Sequence, residues 1–123
     1  MHFTKLVPNV FYINIQDGLR LFVDCLEFSI GHNEIDSEYP FCVLDKDGLR
    51  INLFQNKEFA DKDHPEFRLV TNHIEEVYEK VSTKFPELLH PNLSKITLRP
   101  WGAKEFALMD KQVGIIVQQW PNP

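Results

Sequence analysis

Five histidines, two cysteines and eighteen carboxylates are available for chemistry in this 123-residue chain, yet few stand at a spacing that chemistry uses. His32, His73 and His90 fall in loop or helix-start contexts and make no metal-ligand spacing. His64 sits in the polar stretch DKDHPE, where a solvated loop histidine is the simplest reading. There is no Gly-rich phosphate loop, no nucleophile elbow and no paired Cys-His signature. Cys25 and Cys42 each stand in an apolar pattern and read as buried free thiols. Glu75, Glu76 and Glu79 fall on the first turn or outer side of a helix and read as a solvated face. The more informative stretch is LRPWGAKEFALMDKQVGIIVQQW. It sets Trp101 on a Pro-Trp-Gly turn and closes a strand with Gln118 and Gln119. An indole on a turn can stack on a flat ring or pack against a partner. A glutamine carries both donors and an acceptor, so it can hydrogen-bond an organic ligand, a neighbour or water. Trp120 reads as a terminal lid or a partner contact.

The elements that must position these residues follow from periodicity. NVFYINIQ alternates, with Phe11, Ile13 and Ile15 on one face, and period two predicts a strand. Asp17 can cap a short amphipathic helix whose Leu19, Phe22, Val23 and Leu26 recur at helical spacing to about Glu27. FSIGH is a second strand and EIDSEYP a loop. FCVLDKDGLRINLF is a hairpin around a strong turn signal. After the polar connector NKEFADKDHPE the order starts again. EFRLV is a strand, and Asn72, with Glu75 in capping-box position, can start a helix striped by Ile74, Val77, Tyr78 and Val81. KITLRP is a strand or extended entry, and EFALMDKQVGIIVQQW is a second hairpin. The hairpins align with Phe41 beside Phe106, Asp45-Lys46 beside Asp110-Lys111 and Gly48 beside Gly114, with one extra residue in the second turn. The chain is therefore read as an internal repeat of strand, helix and three strands.

The expected architecture is α+β. Two tandem βαβββ modules, about 8–56 and 64–120, form a curved mixed sheet around a concave cavity, with helices on the outer face, in a single domain spanning 1–123. Such a trough is where a small molecule would sit. A net charge of -5 without runs of Lys or Arg argues against nucleic acid and anionic membranes and favours neutral or cationic partners. The start MHFTKLVPNV shows no charged-then-apolar secretory pattern, and no apolar run nears the ~20 residues that span a bilayer, so a cytoplasmic location is expected.

The two modules, with RPWGAKEFALMDKQVGIIVQ closing the second, resemble the vicinal oxygen chelate superfamily, which includes glyoxalase I, extradiol dioxygenases, fosfomycin-resistance enzymes and bleomycin-resistance proteins. The resemblance covers essentially the whole chain and is strongest over 99–118. The turn after Asp110 departs from the family pattern in lacking a proline, and the first helix is about two residues short. The resemblance implies one divalent metal, held by residues at the start of each first strand and the end of each last strand. Carried onto this chain, those positions are Val10, Asn52, His64 and Gln118. One imidazole, two neutral amides and a hydrocarbon lack the charged oxygen that a hard or borderline dication needs. No cofactor and no catalytic metal are therefore expected.

The resemblance then implies a trough that binds an organic ligand, as in the metal-free bleomycin-resistance branch. Trp101 and Tyr39 would supply stacking rings, Asn52 and Gln118 hydrogen-bonding amides, and Tyr12 and Phe54 further lining. Arg50 and Arg68 would meet a ligand anion or solvent. The expected protein is a homodimer that sequesters a small organic ligand, cationic or aromatic, without chemistry. Two readings compete with it. One is a metal-dependent lyase, isomerase or dioxygenase with shifted ligands such as His64 and Glu66. The other is a dimeric interaction module whose trough is filled by its own side chains.

Overall fold

The structure, a computed structural model, describes residues 1–122. The chain divides into two compact units, the first Met1–His64 and the second from Pro65 onward. Each carries one four-stranded mixed sheet, so the expected repeat is present as two hydrogen-bonded sheets rather than one continuous sheet.

Unit 1 runs β1 (Asn9–Tyr12), α1 (Ile15–Leu19), a π-helical turn (Arg20–Cys25), β2 (Ser29–Glu34), β3 (Phe41–Lys46), β4 (Leu49–Gln55) and α2 (Lys57–Lys62). Its strand order is β1-β4-β3-β2, with β1 parallel to β4 and the other pairs antiparallel. The alternation read from the sequence holds within the strands: Val10, Tyr12, Cys42, Leu44, Ile51 and Leu53 are buried, while Phe11, Phe41, Asn52 and Phe54 on the other face are partly open. It does not carry past Tyr12, because the chain turns into α1 there, leaving Ile13 exposed and burying Ile15 in the helix. Between β3 and β4, Asp47 (φ 51°) and Gly48 (φ 82°) make the two-residue turn that a hairpin's twist favours.

The first helix departs from expectation in its start and its middle. Asn14, not Asp17, is the N-cap, its Oδ1 accepting from the Gln16 N–H at 3.0 Å. Asp17 lies inside the first turn. The helix then widens into the π turn, where Leu26 N–H donates to Leu21 O at 3.0 Å. It ends at Glu27, whose left-handed φ of 65° lets Phe28 N–H reach Phe22 O at 2.8 Å. The polar connector holds a helix, α2, that periodicity did not reveal. Asn56 caps it by accepting from Phe59 N–H at 3.0 Å, and the pairs Lys57–Asp61 and Glu58–Lys62 lie along its surface. Only Ala60 is buried there, so the helix has almost no apolar stripe to read.

Unit 2 repeats the order as β5 (Glu66–Val70), α3 (Ile74–Lys84), a 3-10 turn (Pro86–Leu88), β6 (Thr97–Leu98), β7 (Lys104–Met109) and β8 (Gly114–Gln119). Its strand order is β5-β8-β7-β6, again with the first and last strands parallel. Tyr78 of α3 meets Phe106 of β7 edge-on at 5.0 Å, joining the helix to the sheet. The N-cap of α3 is His73, without a side-chain capping bond, so the expected Asn72 cap and its box with Glu75 are not formed. The helix start is held from elsewhere: Ile74 N–H donates to Gln119 Oε1 at 2.9 Å. Unit 1 does the same, with Ile15 N–H donating to Gln55 Oε1 at 3.0 Å. These matching bonds fix the correspondence of the two units.

Candidate functional site

With Gln55 and Gln119 equivalent, the registers align every other position. In unit 1, Glu34, Phe41, Phe54 and Phe11 form one cross-strand row. In unit 2 the same row is Thr97, Glu105, Gln118 and Val70. The two rows carry opposite chemistry, and each builds a candidate site within its own unit.

The unit 1 row is aromatic. The Phe41 and Phe54 rings stack at 5.7 Å and Phe54 and Phe11 at 5.5 Å, and Phe59 of α2 meets Phe11 edge-on at 5.0 Å. The spacing is that of attractive ring pairs. Over these rings lies a pocket of about 550 Å³, within the size range of small-molecule sites. The end of β2 and the β2–β3 loop supply its rim: Glu34, then Glu38 and Tyr39, the last 77% exposed. Glu34 is held by His32, whose Nε2 lies 2.7 Å from Glu34 Oε2. Gln55 and Asn56 complete the lining. Aromatic walls with two carboxylates at the edge suit a flat ring that bears positive charge.

The middle of the unit 2 row is polar and buried. Glu105 is 1% exposed. Its Oε2 accepts from Trp101 Nε1 at 3.1 Å and from Gln118 Nε2 at 2.6 Å. Gln118 Oε1 in turn accepts from Trp120 Nε1 at 2.9 Å. Arg99 approaches the other carboxylate oxygen at 3.7 Å, and its guanidinium sits 4.8 Å from the centre of the Trp101 ring. Arg99 Nε is buried and has no hydrogen-bond partner among the described residues.

The residues singled out in the sequence are thus spread over several settings. Tyr39 and Phe54 line the unit 1 pocket. Trp101 and Gln118 belong to the unit 2 network. Asn52 lies on the same face as Phe54, one row away, and donates from Nδ2 to Asn9 Oδ1 at 3.0 Å. Tyr12 is 1% exposed and faces the helix, beside the place where Gly18 packs, so it does not line the pocket. Arg50 is paired with Asp45 at 2.7 Å, and Arg68 lies 3.5 Å from Glu66.

The matched positions also move. The turns hold two residues in unit 1 and four in unit 2, where Asp110 Oδ1 accepts from Gln112 N–H and Val113 N–H at 2.8 Å each. Counting from the turn glycine therefore slips by two. Gln118 corresponds to Phe54, Asn52 corresponds to Ile116, and Phe41 corresponds to Glu105 rather than Phe106. Thr71 likewise matches Tyr12 and not Asp17, which places Leu69, not His64, opposite Val10.

These residues do not fit a divalent metal. Val10 is buried on the helix side of the sheet, Gln118 is committed to Glu105 and Trp120, and His64 is exposed before β5. Among the described residues no three His, Cys, Asp or Glu side chains come together as a ligand set. No helix among them is long and apolar enough to cross a membrane.

Sequence reasoning missed Glu105, Phe11, Phe41, Phe59 and the acidic rim. A glutamate opening a strand gives no sign that it is buried. The Phe rows needed the register to bring them together.

No protein-family model matches the chain, and no curated protein does. Solved structures do match it over nearly its full length. The bleomycin-binding protein of bleomycin-producing Streptomyces verticillus, complexed with copper(II)-bleomycin, aligns with a TM-score of 0.68 at 16% identity, covering 100% of this chain and 99% of that one. The genomically encoded fosfomycin resistance protein FosX of Listeria monocytogenes aligns at 0.69 with 10% identity, over 98% of this chain and 96% of that one. A member of the glyoxalase/bleomycin resistance protein/dioxygenase superfamily from Sphaerobacter thermophilus aligns at 0.69 with 15% identity, over 96% and 98%. The duplicated βαβββ arrangement and these likenesses together show that the chain has the fold of the bleomycin-binding proteins.

Proposed function

We propose that this protein binds and sequesters a small organic ligand without a catalytic metal, the ligand carrying a flat ring and a positive charge. The observation that carries the reading is the unit 1 pocket, with Phe11, Phe41, Phe54 and Phe59 as apolar walls and Tyr39, Glu34 and Glu38 at the rim. The formal net charge of -5 favours the same class of ligand. The bleomycin-binding proteins of the same fold support sequestration as the activity. Trp101, Gln118 and Asn52 are assigned to contacts with the uncharged parts of such a ligand, as a second part of this reading. The chain acts as a single cytoplasmic domain that pairs as a homodimer. The metal-dependent alternative has less support, because Glu66 lies 3.5 Å from Arg68 and no group of three His, Cys, Asp or Glu side chains that could hold a metal ion occurs among the described residues.

Thioflavin T, a planar aromatic cation, is the direct probe. A binder gains about 2.7 kcal/mol of stability when ligand exceeds Kd a hundredfold. Thermal unfolding should therefore shift upward with dye, and titration should give a Kd that weakens about fivefold in Tyr39→Ala, one ring contact of about 1 kcal/mol. Glu34→Gln with Glu38→Gln should weaken the cation but not a neutral analogue of the same shape. No shift with the dye or with a panel of planar cations, or a shift indifferent to Tyr39→Ala, would sink the assignment. Stoichiometric divalent metal in purified protein, lost in His64→Ala, would favour the enzyme instead.

A further inference from the structure

The chain contains two tryptophans, and the N–H groups of both enter one relay inside unit 2. Trp101 donates to Glu105, Glu105 also accepts from Gln118, and Gln118 accepts from Trp120. The polar edge of each indole is turned inward, yet the rings are 48% and 46% exposed. A carboxyl group that is 1% exposed is held in place by the donors around it, and here two N–H groups converge on one of its oxygens. The exposed indoles are thus fixed from beneath by a group that solvent barely touches. Val70 completes the row beside Gln118 and is itself exposed. The surface is apolar and aromatic, with both indole N–H groups already used. Arg99 against the Trp101 ring makes it unsuited to a cation, in contrast to the acidic rim of the unit 1 pocket.

We propose that Glu105 is a positioning residue that locks Trp101 and Trp120 into one two-indole platform for a flat aromatic ring that is neutral or anionic. The platform rests on the ligand-binding reading above and extends it to a second class of ring. Glu105 acts through the indoles and does not itself touch the ligand.

The test uses Glu105→Leu and Glu105→Gln in the wild-type, Trp101→Phe and Trp120→Phe backgrounds, so that each indole is read alone. In Trp101→Phe, Glu105→Leu should shift the Trp120 emission to the red and raise its acrylamide quenching, although the Trp120 hydrogen bond is to Gln118 and not to Glu105. Glu105→Gln keeps an acceptor oxygen and should hold Trp120 near its original emission. Affinity for naphthalene-2-sulfonate should fall about tenfold in Glu105→Leu and much less in Glu105→Gln. If Glu105→Leu does not fold, Gln118→Leu cuts the relay at its middle and should give the same Trp120 response. Trp120 emission indifferent to both leucine variants, or naphthalene-2-sulfonate that fails to bind the wild type, would overturn the proposal. Thioflavin T separates the two readings. Its failure to bind while the relay responds counts against the cation pocket alone. Its normal binding with no naphthalene-2-sulfonate response counts against the platform alone.

Discussion

Replacing Gly18 by alanine drives a methyl carbon into the filled interior of unit 1. The new Cβ would lie 2.5 Å from Tyr12 Cε2, 2.8 Å from Tyr12 Cζ and 2.9 Å from Leu53 Cδ1. Ordinary contacts between carbons lie near 3.5–4.0 Å, so each approach is short by about 1 Å. Neither neighbour can retreat into solvent, since Tyr12 is buried beneath α1 and Leu53 stands in the central strand β4. Overpacking costs about 1–3 kcal/mol, and three clashes with two immobile side chains place this one near the top, about 3 kcal/mol. Alanine returns about 1 kcal/mol of helix propensity over glycine. The net is a loss of about 2 kcal/mol, or a Tm lower by about 8 °C in a chain of this size. Urea or thermal unfolding followed by circular dichroism measures it. Tyr12→Leu removes the two ring carbons that clash and should recover part of the loss when combined with Gly18→Ala. Tyr12→Leu alone should lower stability and leave the thioflavin T Kd unchanged, because Tyr12 points away from the pocket. A Gly18→Ala protein as stable as the wild type would refute the packing argument, and a weakened dye Kd in Tyr12→Leu would return Tyr12 to the ligand site.

Two further outcomes follow from the same geometry. Gln55→Ala and Gln119→Ala each leave the first N–H of a helix without its side-chain acceptor, so each should cost about 1 kcal/mol in urea unfolding, and two unequal losses would count against the equivalence of the units. Burial raises the Cys42 thiol above its usual pKa, so its thiolate is scarce near neutral pH; Cys42 in a Cys25→Ala protein should react with a disulfide reagent only as fast as the protein unfolds, and rapid labelling in the folded state would contradict its burial.

The repeat was legible because strands announce themselves by period two and hairpins by turn chemistry. FCVLDKDGLRINLF and EFRLV fold as read, whereas NVFYINIQ is a strand only as far as Tyr12, since Ile15 and Gln16 already belong to α1. The correspondence between the copies was not legible, because a turn's glycine does not say how many residues the turn holds. Gly48 lies within a two-residue turn, whereas Gly114 is already the first residue of β8. The caps were misread for a related reason. Asp17 and Asn72 have the right side chains, but the N-caps are Asn14, three residues before Asp17, and His73, one after Asn72, and distant glutamines satisfy the first N–H groups. Tyr39 and Phe54 could be singled out by type, but their companions Phe11, Phe41 and Phe59 reach the pocket from three separate stretches. Glu105 was hidden by its neighbourhood, since EFALM reads as an ordinary strand that opens on a solvated charge.

The equivalent row holds hydrocarbon rings in the first sheet and a buried carboxyl group with its donors in the second. The forces behind them respond differently to surroundings. Ring packing weakens on cooling and strengthens in sulfate, while a sequestered anion is shielded from salt by its burial. A single chain therefore houses two halves with different thermal and ionic tempers. Chilled or salted solutions should alter how readily the Phe41 and Phe54 amides exchange their hydrogens while leaving those of Glu105 and Gln118 almost untouched.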